Sequence, residues 1–463
     1  MKLDATMRTS VTRLLPVLLI VGLHAGASFA AEDDPAKKVT FDVATSACQR
    51  VQTTLKANGK LRTASSDEAQ QTAIRVVGEL EFVELLLTDA EAESPRSGRY
   101  YKQAQAKISV GERVDESQLD DARRLMVVQR SEDGLTYFSP QGPLTRGDLE
   151  LISSQCDPLA VRELLDGETL AVKDSWQPNN RVLAELFGID HITNAKVKCQ
   201  LLSATKELAR VQITGEAEGV ALGAMSKLKV DGTITVDRKR QAISRIAVTI
   251  NEQRDVGLFA PGFEMEAHID TKISPTKTPP ELDRDALAQV AAEPESADMA
   301  LAFGSPNLGV AFIHDRQWRV TLHRRDLLVL RLVRDGKFVA QCNMTPATDA
   351  DDDHQADKTR FQAHVEQALA ENNGQLQEIS TAKREDGLQM VRISASGKAN
   401  ELPITWVYYM LADPSGQRLA LVFTYATAQE KHFNSADLDL IGNMKLVDDD
   451  RAAQHQAAGS ETR

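Results

Sequence analysis

Alternating hydrophobic and polar residues dominate the first half of the chain and predict β-strands. Met265, Ala267 and Ile269 are separated by polar residues, which places one side of a strand in a core and the other in solvent. Apolar positions of one parity from 222 to 236 predict a longer strand, and the alternation resumes over 246–250. Because the connections between such segments are short, we expect an antiparallel sheet.

Helical periods interrupt this pattern at two places. Between residues 145 and 190, short helices are predicted at Asp148–Ser153 and Val182–Phe187, lying across one side of the sheet. Later in the chain, apolar residues four apart at 361, 365 and 369 predict a helix, followed by three strands and a short closing helix. The C-terminal part therefore mixes strands with helices.

A proline-rich stretch divides the chain into two modules, because such a segment extends and packs poorly. We predict an α+β protein whose curved antiparallel β-sheet, a half-barrel with short helices, is joined by a linker to a C-terminal α/β/α sandwich with an antiparallel sheet. The predicted parts are a signal peptide at 1–30, the half-barrel-like domain at 31–273, the linker at 274–300, the C-terminal domain at 301–447 and a disordered tail at 448–463.

The first 30 residues have the order of an export signal. A basic start precedes a short apolar run from Leu14 to Leu23, and Ser28-Phe29-Ala30 offers small residues where signal peptidase requires them. The apolar run is too short to span a bilayer. We therefore expect an exported protein, periplasmic or secreted, that is not an integral membrane protein.

Composition and charge exclude several classes of protein. The chain has 463 residues, of which 42% are hydrophobic and 26% charged, which rules out disorder of the whole chain and low-complexity architectures. Its formal net charge of −13 has the wrong sign for a general phosphate-binding surface, so we expect no nucleic-acid partner.

The four cysteines are too few to build a disulfide-based fold. Cys48, Cys156, Cys199 and Cys342 allow three pairings, and the sequence does not choose among them. No pair has the C-x-x-C spacing of a redox motif or zinc site. Cys199 occupies the apolar side of a predicted strand, as a buried thiol would.

The N-terminal module resembles lipoprotein carriers of the LolA and LppX type. The resemblance rests on the long curved strands, on a helical segment in mid-chain and on a hairpin at Gly232-Thr233-Ile234-Thr235-Val236-Asp237, which lacks the second glycine and the aromatic residue of the pattern. A second element, Gly167-Glu168 followed by Lys173-Asp174-Ser175-Trp176, is similar to one in exported proteins with such sheets. The resemblance implies binding or assembly in an exported compartment.

The C-terminal module is similar to the PsbP-type α/β/α sandwich. The similar segments are Leu308 to Phe312, Gln317 to Val320, Leu402 to Leu411 and Leu419 to Ala426. This resemblance implies the sandwich fold and again a binding or assembly role, and it transfers no chemistry residue by residue.

Motifs for catalysis, metals and cofactors fail at their restrictive positions. No Gly-x-Ser-x-Gly elbow or His-Glu-x-x-His motif occurs. Aspartates at 349, 351 and 353 fit the start of a calcium loop, but His354 replaces the required glycine and Arg360 the bidentate glutamate. We therefore expect no catalytic residue, no metal and no cofactor.

The concave side of the predicted sheet is the best candidate for a binding site, because a half-closed sheet leaves an apolar concavity. We predict an exported, non-enzymatic binding or assembly protein that holds an apolar, lipid-like ligand there. One alternative is an envelope scaffold that binds a protein partner and has filled cores, and another is a hydrolase with dispersed catalytic residues. The candidate ligand-binding residues are Trp176, Leu228, Val230, Ile234, Val236, Ile246, Val248 and Ile250.

Overall fold

The structure is a computed structural model, and its described residues divide into two compact units with a boundary between Met299 and Ala300. The predicted signal peptide, the predicted tail and the aspartates at 349–353 lie outside the described residues. The described residues are 38–41, 48–62, 71–87, 96–131, 134–165, 169–257, 261–283, 287, 296–334, 336–347, 354–371, 373–399 and 401–447.

The first unit is built mainly from long strands. Short connections make consecutive strands antiparallel neighbours, as at Leu222-Gly223, where positive φ at both residues makes the turn between the strands Leu208–Ala221 and Ala224–Asp237. Its strands β1 to β15 are Val39–Thr40, Gln49–Arg62, Gln71–Leu87, Arg96–Val110, Arg113–Gln118, Leu125–Ser131, Gly134–Phe138, Leu144–Thr145, Thr169–Leu170, Ser175–Trp176, His191–Ala204, Leu208–Ala221, Ala224–Asp237, Ala242–Arg254 and Gly262–Pro275.

One large antiparallel sheet holds most of these strands, in the order β10-β11-β12-β13-β14-β15-β2-β3-β4-β6-β7, with β5 paired to β4. Along most of β13 and β15, buried residues alternate with exposed or partly exposed ones, which gives the sheet one apolar and one polar side. The first strand in the chain to join the sheet, β2, pairs with the last one, β15, in the middle of the sheet.

Three short helices cover part of the apolar side, and we call them the plug. They are α1 at Arg146–Ile152, α2 at Pro158–Glu163 and α3 at Asn180–Phe187. Asp157 caps α2 and proline occupies its first position, while Gly188 ends α3 with a left-handed φ. Helix α3 contacts both β7 and β11, which lie at or near opposite edges of the sheet. The sheet therefore curves around the plug.

Part of the segment interpreted as a linker packs on the first unit. Leu282 and Leu287 are buried among apolar side chains of β3, β6 and β7. A short helix, α4, follows at Ser296–Met299. The predicted domain bounds themselves stay a prediction.

The second unit contains a seven-stranded antiparallel sheet in the order β18-β19-β20-β24-β23-β22-β21, and β17 pairs separately with β16 and β25. Its helices α5 to α7 are His354–Glu371, Glu430–Phe433 and Ala436–Gly442. Its strands β16 to β25 are Leu301–Ser305, Val310–His314, Trp318–His323, Leu328–Arg334, Lys337–Pro346, Gln375–Lys383, Gln389–Ala399, Leu402–Ala412, Arg418–Ala426 and Met444–Leu446.

The prediction of an α+β fold with a C-terminal α/β/α sandwich is wrong, because the described residues are mostly strands. Helix α5 covers one side of the large sheet of the second unit through Phe361, Val365 and Leu369. The other side packs against β16, β17, β25 and the two short helices rather than against a helix layer. The PsbP-type resemblance implied the same sandwich fold, so this implication is wrong too.

Candidate functional site

The predicted apolar ligand residues lie together on the plug side of the sheet. The pairing of β13 with β14 brings Val230 opposite Ile250 and Ile234 opposite Ile246. All seven aliphatic side chains are buried: Leu228, Val230, Ile234, Val236, Ile246, Val248 and Ile250. The structure thus places these residues on one continuous apolar surface.

The plug fills the space above four of these residues. Val230, Ile234, Ile246 and Val248 face Cys156, Val161, Leu164, Leu186 and Phe187 across a cavity of about 10 Å³. That volume is comparable to the space one water molecule needs. In this conformation these side chains form a packed core, and no ligand of lipid size fits between them and the plug.

Trp176 holds the plug to the edge of the sheet. It lies in β10, opposite Cys199 of β11, and is half-buried. Its indole N–H donates a 3.0 Å hydrogen bond to the carbonyl of Leu164, at the end of α2. Trp176 therefore fixes the end of α2 to the edge of the sheet.

A buried ionic cluster fixes the start of α2. Arg99 of β4 donates to both Asp157 oxygens, at 2.6 and 2.7 Å, and to Glu84 of β3 at 3.0 Å. Asp157 also accepts from the Leu159 amide and from the Tyr137 hydroxyl. Burial raises the pKa of the Asp157 carboxyl, but Arg99 and these hydrogen bonds outweigh burial and hold it below its usual range. The cluster therefore remains an ionised pair at neutral pH.

A second buried cluster joins the sheet to α2 and α3. Arg130 of β6 donates to the Leu159 carbonyl at 3.1 Å and to Glu185 at 3.0 Å, and it pairs with Glu163. Arg181 of α3 pairs with Glu163 and Glu185 in turn. The plug is thus attached to the sheet by apolar packing and by charged groups at both ends of α2. Sequence reasoning missed these residues, although Asp157-Pro158 carries a helix-start signal.

A groove with a volume of about 560 Å³ crosses strands of the same sheet, and most residues that line it belong to the solvent-facing side. Lys227 and Lys229 of β13 lie between Glu216 and Glu218 of β12 and the amides of β14. The groove is polar and of mixed charge, unlike the apolar surface under the plug. Its remaining lining residues are Asn58, Ala217, Leu228, Asn251, Glu252, Gln253, Glu264, Met265 and Glu266.

A serine–histidine pair lies among the described residues of the second unit. The Ser305 hydroxyl lies 2.8 Å from Nε2 of His323, but Ser305 is fully buried, so a substrate does not reach its oxygen in this conformation. Among the described residues, no group of three or more His, Cys, Asp or Glu side chains is placed to hold a metal. Searching the same residues, we find no helix with both the length and the hydropathy needed to cross a membrane.

All four cysteine side chains are buried thiols. Burial raises the pKa of Cys156 and of Cys199 to about 12. Because the thiolate is the reactive form, we expect no thiol to react with Ellman's reagent within minutes at pH 8 in the native protein, and four to react after denaturation in urea. A fast-reacting equivalent in the native protein would contradict this burial.

Comparisons with known proteins give no family for the chain. No protein-family model matches it, and no curated protein matches it in sequence. A structure titled "Lipid-protein interactions in lipovitellin" is similar with a TM-score of 0.30 and 10% identity, over 51% of this chain and 26% of that one. DynF, from the dynemicin biosynthesis pathway of Micromonospora chersina, has a TM-score of 0.15 and 7% identity, over 59% of this chain and 99% of that one. The chain thus spans about a quarter of the lipovitellin chain, and with TM-scores this low neither similarity supports a conclusion about fold or function.

Proposed function

We propose that the chain is an exported, non-enzymatic binding protein whose first unit holds an apolar, lipid-like ligand between the curved sheet and the plug. The observation that carries the proposal is the apolar surface of β13 and β14, which is covered by α2 and α3. Such a surface becomes a binding site when the helices move away, since small-molecule sites are concave and mostly apolar.

Ligand entry requires a conformational change of the plug. Pockets for small molecules usually measure about 300–1,000 Å³, whereas the space under the plug measures about 10 Å³. The closed state described above is therefore the empty state, and a ligand stabilises a second state in which the plug has moved outward. The short lengths of the helices, seven, six and eight residues, make such a movement local.

The polar contacts of the plug are suited to a reversible closure. Buried ion pairs contribute little net stability compared with apolar packing of the same volume, because the charges lose their hydration. The Arg99 and Arg130 clusters therefore specify where the plug docks more than they strengthen its docking. The free energy that separates the closed from the open state then lies within the range that ligand binding supplies.

The test is uptake of a neutral apolar dye, N-phenyl-naphthylamine, by the delipidated full-length protein. We expect saturable binding with a rise in dye fluorescence, and native mass spectrometry should show one dye per chain. Binding should also change the emission of Trp176, because its hydrogen-bond acceptor moves with α2. Absence of saturable binding would overturn the proposal.

Replacing Trp176 with phenylalanine should tighten dye binding about fivefold. The substitution removes the hydrogen bond to Leu164, which is worth about 1 kcal/mol. Destabilising only the closed state by this amount raises the open population about fivefold while that population is small, and apparent affinity rises in proportion. Fluorescence titration of both proteins measures the ratio of their dissociation constants.

Trp406→Phe is the matched control, since Trp406 lies in β23 of the second unit. We expect it to leave dye affinity unchanged. Equal affinity of Trp176→Phe and the wild type would show that this contact does not hold the plug closed.

The scaffold role is the second candidate, and the solvent-facing groove favours it. A polar groove of about 560 Å³ offers a contact surface that needs no opening of the plug. If neither the wild type nor Trp176→Phe takes up the dye, the apolar surface is a filled core and the scaffold proposal is preferred.

A further inference from the structure

Building on the proposed function, we propose that the ligand is an anionic amphiphile whose carboxylate or phosphate group pairs with Arg130 once the plug has moved. The apolar surface alone would accept any hydrocarbon chain. Arg130 adds the requirement for a negative charge at one end of the ligand.

Arg130 differs from Arg99, another buried cation of the sheet, in the origin of its partners. Its acceptors are the Leu159 carbonyl, Glu163 and Glu185, and all three belong to the plug. Arg99 instead keeps Glu84, a residue of the sheet itself, when the plug leaves. Outward movement of the plug therefore removes all the acceptors that the structure describes for Arg130, whereas Arg99 loses Asp157 and keeps Glu84.

Arg130 also has unused hydrogen-bonding capacity in the closed state. Its side chain is only 8% exposed, and its Nε atom is buried without a hydrogen-bond partner among the described residues. A guanidinium group binds carboxylate or phosphate through parallel N–H donors. A ligand anion would thus find donors that the plug carboxylates do not fully use.

The cation and the apolar surface are uncovered by the same movement. Glu185, which pairs with Arg130, is followed in α3 by Leu186 and Phe187, which face Val230 and Ile246 across the small cavity. A chain that takes the place of Leu186 and Phe187 brings its end near the position that Glu185 leaves. A neutral lipid would leave Arg130 partly buried and without a counterion, which is costly.

The test is displacement of the neutral dye by oleate, oleyl phosphate and methyl oleate, which share one chain and differ in the head group. We expect the wild type to bind at least one of the two anions at least tenfold more tightly than methyl oleate. Arg130→Gln should lose this preference while still binding methyl oleate. The ranking of oleate against oleyl phosphate tells a carboxylate ligand from a phosphate ligand, and either order supports the inference.

Glu185→Gln is a second test variant, for which we expect the anion to bind more tightly rather than more weakly. A folding defect in Arg130→Gln therefore does not decide the result. Removing the competing carboxylate should tighten binding of the preferred anion several-fold relative to methyl oleate. Arg245→Gln is the control, because Arg245 pairs with Asp270 on the exposed side of the sheet. It should leave all three affinities unchanged.

The outcomes separate the two proposals. Equal binding of the anions and the ester by the wild type, or no tightening in Glu185→Gln, would overturn the anionic ligand and leave the apolar binding site standing. Failure of the dye and of all three competitors to bind would overturn the binding site itself.

Discussion

Replacing Asp157 with alanine should lower the free energy of unfolding of the first unit by about 3–5 kcal/mol. The substitution leaves Arg99, which is fully buried, with one carboxylate in place of two, and removing one partner of a buried ion pair has a cost of this size. It also removes the cap that accepts from the Leu159 amide. Urea titration followed by the emission of Trp176, in a Trp318→Phe/Trp406→Phe background, measures the change.

Asp115→Ala is the matched control for this measurement. Asp115 pairs with Arg113 in β5, and both side chains are about half exposed, so the pair should contribute almost nothing. Removing both partners in Arg99→Met/Asp157→Leu should cost less than the sum of the two single changes, because the loss of the contact between Arg99 and Asp157 is then counted once rather than twice. An Asp157→Ala protein as stable as Asp115→Ala would mean that the cluster is not buried as described.

Replacing Phe423 with alanine should lower the free energy of unfolding of the second unit by about 3–5 kcal/mol. Phe423 is fully buried in β24 and makes edge contacts with the rings of Trp318, Tyr409 and Phe433, at centroid distances of 6.0, 5.8 and 6.1 Å. Truncation to alanine removes the apolar surface that the Phe423 side chain buries on folding and leaves a cavity that these rings do not fill. Denaturant unfolding read by Trp318 and Trp406 measures the loss.

Phe338→Ala controls for the loss of an aromatic side chain at a position that is 38% exposed. We expect a much smaller change, because less area returns to water and no enclosed cavity forms. A similar loss for both variants would contradict the interpretation that Phe423 is the centre of this core.

Periodicity alone predicted the strands that form the candidate site. Apolar residues of one parity indicated a strand ending near 236, and β13 runs over Ala224–Asp237 with that parity buried. The alternation at Met265 and Ala267 is likewise confirmed in β15. Strands can be predicted from the sequence in this way because burial on one side of a sheet imposes a two-residue period that few other structures share.

The sequence alone did not predict the buried polar clusters that attach the plug to the sheet. Glu84 follows Glu79 and Glu81 in one strand segment, where alternation with apolar residues is typical of a solvent-facing side, whereas Glu84 is buried against Arg99. A register shift at Glu81 and Phe82 in the pairing of β3 with β4 interrupts the alternation before it reaches Glu84. The partner of such a residue lies on a distant segment, and only tertiary structure brings the two together.

The prediction of the C-terminal fold was wrong for a related reason. The apolar spacing that predicts the closing helix, at 438, 441 and 444, continues to Met444, but α7 ends at Gly442 and Met444 begins β25, opposite Phe312. A short apolar segment fits either period, and its partner strand decides between them.

The pairing of β2 with β15 determines when the first unit can complete its folding. The buried hydrogen bond between Thr53 and Thr271 joins residues 218 positions apart, in the middle of the sheet. Pairing at this distance has a high entropic cost until the intervening strands have formed, so folding should be slow and should finish only after β15 has been synthesised.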